Sequence, residues 1–245
     1  MKTVLRWLGR LATAAIGFVL VLQLYYFASV GYYAHVDPSS TSFMKSHLAL
    51  AREQNPNAKL EYQWVPYARI SDQLKRAVIT SEDARFAEHD GVDWDAIAKA
   101  YENNERVEKA AASPKGAKAR QRARIKGGST ITQQLAKNLF LSGERSYLRK
   151  AQELVIAYMI EFWMSKQRIL EVYLNVIEWG NGVFGAEAAS RHYYGIPAAQ
   201  LTAGQAAQLA VMLPNPRFYD THRGSGYLAR RANAVLRWMP DAELP

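Results

Sequence analysis

From Leu11 to Ala34 the chain runs 24 residues without a charged side chain, and no other feature restricts its fold so strongly. A helix rises 1.5 Å per residue, and about 20 apolar residues cross a hydrocarbon core of roughly 30 Å. The stretch therefore predicts one membrane-spanning helix. Lys2, Arg6 and Arg10 precede it in a basic tail over residues 1–10, and Tyr25, Tyr26, Tyr32 and Tyr33 gather at its far end as interfacial aromatics do. Basic flanks stay on the cytoplasmic side, so the chain beyond residue 34 is expected outside the cytoplasm. A cleaved signal peptide would have a shorter apolar region and a small-x-small site, and the candidates for such a site are poor. A buried core helix fits less well still.

The 245 residues allow one domain, or a domain with a small lobe. A net charge of +9 favours anionic partners such as phosphorylated lipids, acidic membranes or nucleic acid. The absence of cysteine excludes disulfides and thiolate metal sites. Residues 35–59 mix Pro, Ser and Asn with few apolar residues and read as a juxtamembrane connector. Ser42 to Lys45 matches the S-x-x-K of acylating transpeptidases, but neither S-D-N nor K-T-G follows. Lys109 to Lys126 holds seven basic residues and no acidic one. No aromatics interleave there for base stacking, so nucleic acid is not expected; a solvated loop or anionic headgroups fit better.

Candidate chemistry concentrates in GGSTITQQLAKN, residues 127–138, and in the run to Glu153. Thr130 and Gln133 have capping-box spacing, and Gln133 and Lys137 fall on one helical face. Ile131, Leu135 and Leu139 form the opposite stripe, which can pack and leave the polar face to a ligand. Flexible backbone before a helix N-terminus suits an anion, and Arg149, Lys150 and Glu153 add two cations and a carboxylate at helical spacing. These features point to a phosphate-handling site; an ordinary capped amphipathic helix with a solvated face is the plainer alternative. Upstream, Ser71 is an N-cap, and Leu74, Val78 and Glu82 recur at i, i+4 and i+8. Burial at the end of that stripe would raise the Glu82 pKa and suit a general base, whereas a fraying helix end would leave it in water. Asp93 and Asp95 satisfy a loose D-x-D metal pattern, but Asp93 reads more simply as the N-cap of a helix starting at Trp94. No H-E-x-x-H spacing exists.

Glu61 to Tyr67 is the one short strand expected. Leu154 to Met164 is apolar on nearly every side apart from Glu161 and is expected to be the core helix. Ser165 restarts the helical pattern. Thr202 and Gln205 form a second capping box before an amphipathic helix over residues 203–213, and a last basic helix is expected over Tyr227 to Met239.

Five segments together resemble the signature motifs of the peptidoglycan glycosyltransferases, the transglycosylases of glycosyltransferase family 51. They are EDARFAEHDG from Glu82, GGSTITQQLAKN, RKAQE from Arg149, KQRILEVYLN from Lys166 and GNGVFGAEAASRHYYG from Gly180. The resemblance spans residues 60–245, departs from the pattern only in a basic insertion over residues 110–124, and is close to the monofunctional members. It implies a mainly α, lysozyme-like head with a small membrane-facing lobe, working on the periplasmic side of a bacterial inner membrane. It implies joining of lipid II to a growing glycan strand by an inverting β-1,4 transfer that releases undecaprenyl diphosphate. Its partners would be lipid II, the glycan strand, the bilayer and other cell-wall synthases. Carried over residue by residue, the family pattern makes Glu82 the base and puts Glu153 in the donor site. There Glu153 either orients the basic residues or helps hold a divalent cation, Mg or Mn, at the pyrophosphate. Lys137, Arg149 and Lys150 would offset leaving-group charge. Ser129, Thr130, Gln133, Gln134 and Asn138 would bind sugar or phosphate oxygens; Asp83, Phe86 and His89 would complete the substrate groove. A lysozyme-type hydrolase would also need a glutamate of raised pKa but not the cation cluster, and a non-catalytic scaffold would need the cations but not Glu82.

Overall fold

The computed structural model describes residues 2–111, 128–141 and 146–245. Most of them are helical. A 34-residue helix, α1, covers Lys2–His35 and contains a span from Arg6 to His35 long and apolar enough to cross a membrane. It is followed by α2 (Ser42–Gln54), α3 (Asp72–Glu82), α4 (Trp94–Ala111), α5 (Ile131–Phe140), α6 (Tyr147–Trp163) and α7 (Lys166–Val176). The chain closes with α8 (Ala186–Tyr194), α9 (Ala203–Ala210), α10 (Pro216–Thr221) and α11 (Gly226–Trp238). The residues of the basic insertion beyond Ala111 lie outside the described ones.

The caps follow the sequence. Ser71 accepts from Gln73 N, Ser165 from Arg168 N, and both Thr130–Gln133 and Thr202–Gln205 close as reciprocal capping boxes. Asp93 Oδ1 accepts from Ala96 N at 2.8 Å, and Arg85 binds both Asp93 and Asp95, so the D-x-D carboxylates are held by a guanidinium.

The core helix is α7, not α6. Every residue of α7 from Val172 to Val176 is buried, as are Ile169 and Leu170, although its first turn carries Lys166, Gln167 and Arg168: elements packed around its C-terminal half, and not an all-apolar surface, put it inside. Its one buried amide, Asn175, is satisfied: Nδ2 donates to Val65 O and Oδ1 accepts from Val65 N, both at 2.9 Å. That pair fastens the chain entering α3 to the core. By contrast α6 buries only Glu153, Ile156, Ala157 and Ile160, while Val155, Tyr158 and Phe162 face outward. It also makes apolar contacts with α1. Gln23 and Gln152 exchange amide hydrogen bonds at 2.8 and 3.0 Å, Phe27 lies 5.1 Å from the Trp163 ring, and a Cβ on Gly31 would come within 3.1 Å of that indole. Arg168 completes the junction by donating to Tyr33 O and Asp37.

The sheet is larger than one expected strand. β1 (Glu61–Tyr62) pairs parallel with β3 (Val183–Phe184), which pairs antiparallel with β2 (Glu178–Gly180), in the order β1-β3-β2. Gly185 turns the chain from β3 into α8 at φ +85°, and a Cβ there would sit 2.6 Å from Asn175 O, so only glycine fits. The segment read as a connector also folds further than expected. Thr41 caps α2 through Met44 N, and α2 packs on α5 with Met44 and His47 buried.

Candidate active site

A cleft of about 910 Å³ opens where α2, α3, α5, α6, β2 and the turn before α10 meet. Three neighbouring contacts decide what faces it. Asp83, immediately after Glu82, accepts from Ile131 N at 3.0 Å and from His89 Nε2 at 2.9 Å, so the start of α5 is pinned to the end of α3. Thr130 Oγ1 donates to Gly91 O at 2.6 Å and locks the same junction. With α5 held there, Gln134 stands across from Glu82: its Nε2 donates to Glu82 Oε2 at 2.9 Å, and Tyr173 Oη from α7 donates to Gln134 Oε1 at 2.9 Å.

The structure therefore sorts the thirteen expected residues into two groups. Glu82, Ser129, Gln134, Lys137, Arg149, Lys150 and Glu153 line the cleft. Asp83, Phe86, His89, Thr130, Gln133 and Asn138 do not: Phe86 is fully buried, Gln133 is spent on its capping box, and Asp83, Thr130 and Asn138 are buried behind the wall. For Phe86 the reason is packing. It carries Lys166 Nζ, from the start of α7, over its ring at 4.9 Å and His89 against its edge. The face of α5 that meets the cleft is consequently Gln134 and Lys137, one step round from the Gln133 and Lys137 pairing that the spacing suggested.

Electrostatics separate the site into a carboxyl and a cationic cluster. Burial pushes the Glu82 carboxyl above its ordinary value; hydrogen bonds from Gln134 and Ser81, and the charges of Arg231 and Lys137, pull part of the way back. In the cluster Arg149 Nη1 donates to Glu153 Oε2 at 2.8 Å, Lys150 Nζ donates to Glu153 Oε1, and Lys150 reaches Ser129 Oγ at 3.0 Å. Lys137 has no hydrogen bond or ion pair among the described residues, and burial lowers its pKa while Glu153 partly restores it. The buried Nε of Arg149 also lacks a partner among them. Three cations against Glu153 leave an excess of two positive charges waiting for an anion.

The fit to a divalent cation is poor. Both oxygens of Glu153 are taken by Arg149 and Lys150, and no group of three or more acidic, His or Cys side chains among the described residues could cage an ion.

Several cleft residues escaped the sequence reading: Phe43, Ser46, His47 and Leu50 from α2, Glu178 from β2, and Asn215 and Arg217. Those on α2 share an i, i+3, i+4, i+7 stripe, a signal hidden by reading the segment as a connector. Nothing local to Glu178 or Arg217 marks them, because their pairing spans 39 residues of chain.

A raised carboxyl facing a cation cluster in one cleft suits an enzyme that pairs a base with a phosphate-bearing substrate. Residues 49–240 match the transglycosylase family model. The chain is 58% identical over its whole length to the biosynthetic peptidoglycan transglycosylase of Herminiimonas arsenicoxydans, covering 100% of each. It is 59% identical to that of Bordetella pertussis, over 98% of this chain and 97% of the relative, and 53% identical to that of Thiobacillus denitrificans over both full lengths. The chain belongs to the transglycosylase family, and is a peptidoglycan glycosyltransferase of cell-wall synthesis.

Proposed function

We propose that this glycosyltransferase polymerises lipid II into β-1,4 glycan strands with inversion, releasing undecaprenyl diphosphate at the outer face of the bacterial inner membrane. The observation that carries the reading is Lys137, a partly buried ammonium with no hydrogen bond or ion pair among the described residues and only the Phe43 ring 6.0 Å away, beside Arg149 and Lys150 in the cleft of Glu82. A buried cation left unpaired is costly, and a pyrophosphate supplies the missing charge.

In this reading Glu82 takes the proton from the attacking sugar hydroxyl as it displaces the pyrophosphate. The cations stabilise charge that grows on the departing oxygen, where losing one preorganised donor costs about 100 to 1000-fold in rate. Glu153 orients Arg149 and Lys150, and no step requires a metal. Gln134 holds the Glu82 carboxylate and favours its ionised form. A lipid-linked substrate also suits the arrangement of α6, which carries Arg149 and Lys150 in its first turn and an outward apolar face along α1. Gln23 pairs with Gln152 and ties that face to α1, which supports a reading in which it dips into the outer leaflet with the cationic cluster at headgroup level. Other cell-wall synthases would meet the protein on the same membrane.

The test is glycan formation from purified lipid II by the wild type and by Glu82→Gln, with the fold of the variant checked by thermal melt. Polymer from the wild type alone supports the reading. Polymer from both removes Glu82 as base, and shortening of preformed glycan without polymer would identify a hydrolase.

A further inference from the structure

The cleft wall carries a second polar network that shares no hydrogen bond with the cationic cluster among the described residues. Arg217 Nε donates to Glu178 Oε1 at 2.8 Å, and Arg217 Nη2 lies 2.7 Å from His47 Nδ1. A guanidinium can only donate, so His47 Nδ1 accepts from Arg217, and the same nitrogen lies 3.3 Å from Glu178 Oε1, which closes the trio. The two holders are buried, at 5% exposure for Glu178 and 7% for His47, whereas the Arg217 side chain is 47% exposed. His47 is wedged against the Phe184 ring at 5.6 Å. The Nη1 group and the second hydrogen of Nη2 have no partner among the described residues, and they form the outer fork of the guanidinium.

We propose that Arg217, fixed by Glu178 and His47, is a carboxylate-binding subsite that takes a free carboxylate on the peptide borne by the glycan substrate. The proposal rests on the glycan-polymerising function above. Geometry selects the ligand. Two coplanar N–H groups match the two oxygens of a carboxylate, a fit that a point-charge ammonium lacks. Charge selects it too. The cluster at Lys137 has an excess of two positive charges and suits a pyrophosphate, whereas Arg217 is neutralised by Glu178, with His47 kept uncharged by burial below its ordinary pKa. A neutralised fork holds a singly charged group through directed hydrogen bonds and still releases it when the strand moves on. Asn215 and the rigid Pro214 and Pro216 beside it offer a wall for peptide and leave the sugar to the Glu82 side.

The experiment compares kcat/KM for polymerisation of two lipid-linked disaccharide peptides, one with free peptide carboxylates and one with those carboxylates amidated. The wild type, Arg217→Gln and Arg217→Lys are used, each with its melting temperature measured. Hydrogen bonds to a charged group convert to about tenfold or more. Arg217→Gln is expected to lose about that factor on the free-carboxylate substrate and to match the wild type on the amidated one. Arg217→Lys, which keeps charge without the fork, should lose part of it on the first substrate only. Equal losses on both substrates would make the trio a structural clamp between α2 and β2 and overturn the proposal, as would no loss on either. If the wild type polymerises neither substrate, the polymerase reading itself falls and the subsite with it.

Discussion

Gln134 donates to Glu82 at 2.9 Å with an amide whose orientation is set by Tyr173, a fully buried hydroxyl on the core helix 2.9 Å from the amide oxygen. An amide can present either end to a carboxylate, and only the N–H₂ end favours the ionised form. The donor from Tyr173 removes the choice. Replacing Tyr173 by Phe frees the amide to turn, which raises the Glu82 pKa further, so the acid limb of the rate profile should move to higher pH. Gln134→Ala should move it in the same direction. A drop in rate at all pH values without movement of the limb would refute this.

Glu82→Gln should abolish most activity, since general-base catalysis contributes about 100 to 10,000-fold. It should not cost stability. A carboxyl whose folded pKa lies above its unfolded value binds protons better when folded, so stability is lost as pH rises through that window. At neutral pH the amide removes this penalty and keeps the Gln134 hydrogen bond. The variant should melt at the same temperature as the wild type or higher, by an amount equivalent to about 0.5 to 2 kcal/mol. A lower melting temperature would show that Glu82 holds the fold.

Lys137→Met should lower the rate by about 100 to 1000-fold while leaving the melting temperature unchanged or raised. The lysine has no hydrogen bond or ion pair among the described residues to lose, a methionine can keep its contact with the Phe43 ring, and its burial disfavours charge. Polymerisation rate and thermal melt on the same preparation separate the two effects.

Asp83→Asn should behave in the opposite way. Asp83 holds His89 and the first N–H of α5 behind the cleft, and leaving buried partners unmet costs about 1 to 3 kcal/mol. For a chain of this size each kcal/mol lowers the melting temperature by about 2 to 4 °C. Activity per folded molecule should fall far less than in Glu82→Gln. A loss as deep as that of Glu82→Gln at unchanged melting temperature would return Asp83 to the chemistry.

Removing residues 1–34 should preserve the head and reduce turnover of substrate embedded in vesicles. It also uncovers Phe140, Phe162 and Trp163, which α1 contacts, so the shortened protein should associate unless detergent is present. Equal rates on vesicles with and without the anchor would count against a role for α1 in catalysis.

Sequence alone determined what depends on near neighbours. The uncharged run from Leu11, the capping residues Ser71, Thr130, Ser165 and Thr202, and the stripe ending in Glu82 all act within a few turns of helix, where spacing in the chain is spacing in space. Tertiary structure decided the rest. Thr130 and Asp83 are polar residues in signature motifs, yet Thr130 Oγ1 donates to Gly91 O and Asp83 accepts from Ile131 N, 39 and 48 residues away in the chain, and so they build the cleft wall without facing the cleft. In α6 the apolar residues all look like core, but Phe162 and Trp163 meet Phe27 of α1, more than a hundred residues earlier. Arg217, Glu178 and His47 come together from three elements, and a pairing of that range leaves no periodic trace, because it is made by packing alone.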